Sequence, residues 1–132
     1  MKKILLFTTL CIFINSEIYS QSGNSCSDAI EITAGTYTVN GISGNTFESN
    51  CTEYDADNGE LEWYSYSAIQ DYLVTVSTDY AVNNNLDTRF HVYQGECENL
   101  QCAGGDDDSG DGYLSHGSFY AYAGNTYYIA WD

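Results

Sequence analysis

Proline is absent from these 132 residues, and only three lysines and arginines occur among them. Lys2 and Lys3 are two of the three, so Arg89 is the single strong cation in the rest of the chain. Against them stand 19 Asp and Glu residues, for a formal net charge of −16. A surface so one-sided repels phosphate backbones and anionic lipid headgroups, which excludes nucleic acid as a partner. Histidine is nearly missing as well, with only His91 and His116. Ser115 and Ser118 lie near His116 but in no nucleophile elbow or other catalytic frame. Carboxylates are plentiful, yet hydrolytic pairs need an apolar pocket to separate their pKa values, and glycine-rich acidic loops stay wet. The chain is therefore expected not to be an enzyme. His91 reads as an outward strand residue and His116 as a loop or strand-start residue.

Long hydrophobic runs are lacking except for one, Ile4 to Ile14, which follows Lys2 and Lys3 and leads into a polar segment ending in Ser20. That is the layout of a secretory signal peptide over residues 1–20, and the run is too short to span a bilayer. Cys11, inside the run, lacks the small-residue context of a lipidation site. The expectation is a secreted or cell-surface chain without membrane insertion, in which residues 21–132 form one small domain.

The acidity alone would suit a disordered tail, but 13 tyrosines and 2 tryptophans do not. Short alternating runs recur at 29–33, 36–40, 61–68, 72–77, 88–94, 118–123 and 126–131, and no helical period appears. In the run from Arg89 to Gln94, Phe90 and Val92 share one face while Arg89, His91 and Tyr93 take the other. In the run from Tyr72 to Ser77 the core face stays ambiguous. The Gly104-Gly105 and Gly124-Asn125 pieces read as loops. Seven or so short strands without proline or helix predict an all-β sandwich.

Cys26, Cys51, Cys97 and Cys102 remain after the signal segment, an even set in a small exported domain, and disulfides are expected rather than zinc. Three connectivities are open. Only four residues separate Cys97 from Cys102, which favours closing that loop and leaves Cys26 to pair with Cys51.

The series Cys26-Ser-Asp-Ala-Ile30, Glu62-Trp-Tyr-Ser-Tyr66, Asp87-Thr-Arg-Phe-His-Val-Tyr93, Gly95-Glu-Cys97, Leu100-Gln-Cys102, Asp106-Asp-Asp108 and Ala123-Gly-Asn-Thr-Tyr-Tyr-Ile129 resembles the bacterial pre-peptidase C-terminal type of domain. The version it is most similar to occurs in exported multidomain proteins of the Bacteroidetes. The resemblance covers nearly all of residues 21–132. It implies a jelly-roll-like antiparallel β-sandwich of about seven to eight strands, usually non-catalytic, attached to peptidases, adhesins or other surface proteins. Some relatives bind calcium or a polymeric substrate. Members usually continue beyond the Tyr-Tyr-Ile strand into another strand, whereas this sequence stops at Trp131-Asp132, as an N-terminal fragment of a longer protein would. The function implied is binding or adhesion to a polymeric or cell-surface ligand; the alternative is an accessory domain of a secreted peptidase whose catalytic domain lies elsewhere.

Asp106, Asp107, Asp108 and Asp111 crowd one glycine-rich stretch. Two like charges about 4 Å apart repel by roughly 1 kcal/mol in water and about 4 kcal/mol at an effective dielectric of 20, so ordering four of them requires a counter-charge. Calcium, which takes carboxylate and carbonyl oxygens, is the expected cation, with Asp87 as a further ligand from across the sheet. A solvated acidic turn is the other reading. The run from Glu53 to Glu62 imitates a calcium loop only at its start: the twelfth position from Asp55 is Tyr66 rather than glutamate, so it reads as solvated. Trp63, Tyr64, Tyr66, Tyr93, Tyr120 and Tyr122 are candidates for a sugar or peptide platform, with Trp63, Tyr64 and Tyr93 foremost, although core or edge packing is the commoner role of such aromatics and the favoured reading here.

Overall fold

Alternation of aromatic and β-branched residues builds strands at six of the seven expected places. The computed structural model describes residues 22–39, 41–45, 51–52 and 59–132. The signal segment and residues 53–58 of the second acidic run lie outside the described residues. Seven strands are present among them: β1 (Ile30–Ile32), β2 (Glu62–Ser67), β3 (Tyr72–Ser77), β4 (Arg89–Gln94), β5 (Gln101–Asp107), β6 (His116–Ala121) and β7 (Thr126–Trp131). The described part of 36–40 carries no strand. Short 3-10 turns at Cys26–Asp28 and Ala81–Asn83 are the only helical pieces described, and no helix is long and apolar enough to cross a membrane.

The strands form two sheets, one ordered β1-β2-β7-β4-β5 and one of β3 with β6. All pairings are antiparallel except β1 with β2. The expected all-β sandwich is thus the fold. Phe90 and Val92 of β4, Tyr127 and Ile129 of β7 and Tyr64 of β2 pack against Phe119 and Ala121 of β6. Val74 and Val76 join them, which fixes the inward face of β3 and leaves Leu73 outside at 60% exposure. Each such side chain contributes about 1.5–3 kcal/mol on full burial.

The other face of the large sheet is also covered. Trp63, Tyr93 and Ala130 pack there under Ala29, Leu61, Cys26, Cys51 and Leu100, with the Trp63 and Tyr93 rings stacked at 5.7 Å. β4, lying between β7 and β5, is consequently buried on both sides from Arg89 to Tyr93. This overturns the outward placement of His91, which is 2% exposed.

β5 is the strand that composition concealed. Gly104 and Gly105, expected in a loop, pair with Val92 and His91. A Cβ on Gly104 would meet Phe119 Cβ at 3.1 Å, and one on Gly117 would meet Asp106 Cβ and Phe90 Cζ at 3.0 Å. Glycine is needed where β5 and β6 come this close.

The register of β4 with β5 shifts between Val92 and Tyr93, so that Gly104 opposes Val92 and Cys102 opposes Tyr93, with Ala103 as the extra residue. Strict alternation would place Cys102 on the face of Gly104. The bulge moves it to the face of Tyr93, where the segment carrying Cys51 lies. The disulfides are accordingly Cys51–Cys102 and Cys26–Cys97, not the expected Cys97–Cys102 and Cys26–Cys51. Both tie the N-terminal covering segment to the β4–β5 hairpin.

Candidate functional site

The same alternation sorts the aspartates. Asp107 opposes Arg89 and Asp106 opposes Phe90, so neighbouring carboxylates leave opposite faces of β5. Asp106 turns toward the small sheet, where its Oδ2 accepts from the backbone N–H of His116 at 2.8 Å and of Ser109 at 3.2 Å. It is a cap holding the β5–β6 connection, and it stands apart from the other acids. Asp107 turns the other way, toward Asp87 in the loop before β4 and Asp108 just beyond β5. Ligand oxygens of Asp87, Asp107 and Asp108 all lie within 4.8 Å of one another. Asp111 is not in this group; its carbonyl accepts from Leu114 N–H at 3.3 Å in the turn before β6.

Asp108 places its carboxylate there by adopting a left-handed backbone with φ of 68°, the one non-glycine residue described to do so. Aspartate tolerates this region better than most residues. Arg89 and Asp132 complete a cleft of about 300 Å³ around the three acids. Arg89 Nε donates to Asp132 Oδ1 at 3.0 Å, its Nη2 reaches Oδ2 of the same carboxylate, and the two backbones exchange N–H to carbonyl bonds at 3.1 Å. The guanidinium is thereby committed to Asp132, whose hydrogen bond holds it more firmly protonated than usual. Asp107 feels the imbalance. Partial burial raises its pKa first and the neighbouring Asp108 raises it further, with Arg89 only partly offsetting them.

Whether the residues suit a hard cation is a matter of donors and span. Three carboxylates supply oxygen alone, the chemistry calcium prefers, and two ligands at about 2.3–2.6 Å from one ion lie no more than about 5 Å apart. The observed 4.8 Å limit meets that condition. Of the five acids expected at the metal, Asp87, Asp107 and Asp108 are together, while Asp106 and Asp111 are elsewhere.

Of the two readings of the aromatics, core packing holds for the three foremost candidates. Trp63, Tyr64 and Tyr93 are 2%, 6% and 0% exposed, because the covering segment and the opposing sheet take both faces of their strands. Tyr66 is half-buried, while Tyr120 of β6 and Tyr122, just beyond that strand, stand exposed. Ser115 is fully buried, and its hydroxyl donates to the Thr88 carbonyl. His116 Nδ1 lies instead 3.1 Å from Ser77 Oγ, so Ser115 and His116 form no catalytic pair.

Neither the Arg89–Asp132 pair nor the burial of His91 is visible in the sequence pattern. Arg89 being the single Lys or Arg outside the signal segment is a signal of a fixed partner, but nothing in the spacing names Asp132. Comparisons with known protein families, with curated proteins and with solved structures return no match.

Proposed function

We propose that this chain is an extracellular, non-catalytic β-sandwich module that serves binding or adhesion within a longer exported protein, with calcium held by Asp87, Asp107 and Asp108. The observation that carries the metal part is the convergence of three carboxylates within 4.8 Å, where Arg89, the only Lys or Arg among the described residues, is engaged by Asp132. Export is supported by two disulfides together with the signal-type N-terminus. The binding role rests on the resemblance to pre-peptidase C-terminal domains, which also puts accessory service to a secreted peptidase as the second reading.

Calorimetric titration of the oxidised chain with calcium chloride tests the metal assignment. One ion per chain is expected, with the heat abolished in the Asp107→Asn, Asp108→Asn double variant. No heat at millimolar calcium, or the same heat in the double variant, would sink it.

A further inference from the structure

At the strand ends away from the aspartates, a second cleft opens between the β4–β5 hairpin and the turn joining β6 to β7, with a volume of about 690 Å³. This lies within the roughly 300–1,000 Å³ of small-ligand sites. Gln94, Asn99, Gln101 and Asn125 line it with four side-chain amides, Thr126 adds a hydroxyl and Tyr128 a half-buried ring. All four residues are exposed, and their amides face solvent rather than another described residue. We infer that this cleft binds a neutral saccharide, and this deepens the reading of the chain as a binding module by giving that module a site and a ligand class.

The donor set selects the class. A sugar hydroxyl both donates and accepts, and each amide offers two N–H donors beside a carbonyl acceptor, so one amide can serve two adjacent hydroxyls. Gln94 and Gln101 stand directly opposite each other across β4 and β5, which sets two such groups side by side. The Tyr128 ring offers the apolar surface that a pyranose C–H face needs. Phosphate, sulfate and uronate ligands find no lysine or arginine here, and they meet the Glu96 carboxylate at the rim.

Both rims are built before any ligand arrives. Gly95 turns the hairpin with φ of 108°, where a Cβ would meet the Asn99 carbonyl at 2.8 Å. Asn99 N–H closes the tip onto the Glu96 carbonyl at 2.8 Å, and Cys97, between Gln94 and Gln101, is bonded to Cys26. On the opposite side Gly124 has φ of 81°, and Ala68 clamps the turn by donating to the Asn125 carbonyl and accepting from Gly124 N–H. A pre-ordered rim spares binding the cost of fixing these loops.

The experiment is heteronuclear NMR on the oxidised chain, titrated with cellotetraose, xylotetraose and mannotetraose, with a sulfated oligosaccharide and an oligolysine peptide as charged controls. At least one neutral tetrasaccharide should shift the side-chain amide signals of Gln94, Asn99, Gln101 and Asn125. The Gln94→Ala, Gln101→Ala variant should bind about tenfold more weakly with an unchanged melting temperature. Shifts centred on Tyr120 and Tyr122, or selective binding of either charged control, overturn the cleft while leaving the binding-module reading in place. No shift with any probe, together with no retention of the chain on insoluble polysaccharide, overturns both.

Discussion

The backbone N–H of Cys51 donates to Nδ1 of His91 at 3.2 Å, joining residues 40 apart in sequence. Nδ1 can accept only while unprotonated, so this bond fixes the imidazole as neutral, with its proton on Nε2. Burial lowers the pKa of His91 first, Arg89 lowers it further, and Asp132, 4.0 Å from Nε2, opposes them. A folded-state pKa below the unfolded value of about 6.5 means that the unfolded chain takes up the proton more readily. The contribution of His91 to stability should be full above pH 6.5 and fall as the pH drops below it.

Urea denaturation at pH 7.5 and 5.5 checks this. His91→Phe should cost about 1–3 kcal/mol by stranding the Cys51 N–H, and should flatten the pH dependence over that interval. Glu62, whose pKa burial raises, acts with the opposite sign and is retained in the variant, so the difference between the two proteins isolates His91. Equal pH slopes would contradict the assignment.

Peptide mapping without reduction should yield Cys26 linked to Cys97 and Cys51 linked to Cys102. The bridges span 71 and 51 residues, and replacing either pair by alanine should cost about 2–5 kcal/mol in denaturation at neutral pH. A Cys97–Cys102 peptide would contradict the register shift at Ala103 as well as the pairing.

How far the sequence foretold this fold depends on which rule each element obeys. Strands β2, β3, β4 and β7 announce themselves by alternation, because alternating residues face a core. β5 does not: Gly104 and Gly105 are there to admit Phe119 and Cys51, and its aspartates lie at a sheet edge, so its composition is that of a loop. Alternation also separates two faces without revealing that both are covered, which is why His91, Trp63 and Tyr93 looked exposed. The cluster of three carboxylates is legible in part. Asp87, Asp107 and Asp108 were in the expected set, but separating Asp106 from Asp107 required knowing that they sit on a strand.

Gly117→Val should destabilise by about 1–3 kcal/mol, since its side chain would enter space held by Asp106 and Phe90. Gly112→Ala, at a position with φ of 71° but nothing within 4 Å, should lose only backbone strain, about 1 kcal/mol. Thermal unfolding of both variants orders the two effects, and a larger loss at Gly112 would contradict the close approach of β5 and β6.

Asp107 offers the most direct test of the central claim, that a cation balances the three carboxylates. Its raised pKa means that its charge is unfavourable in the folded chain without a cation, so Asp107→Asn should leave stability equal or higher in chelator. With calcium at 100 times its dissociation constant the wild-type chain should gain about 2.7 kcal/mol, and the variant should gain little. Melting curves of both proteins in chelator and in calcium are therefore predicted to cross over in rank. A wild-type melting temperature indifferent to calcium, or an Asp107→Asn effect of the same sign and size in both conditions, would contradict it.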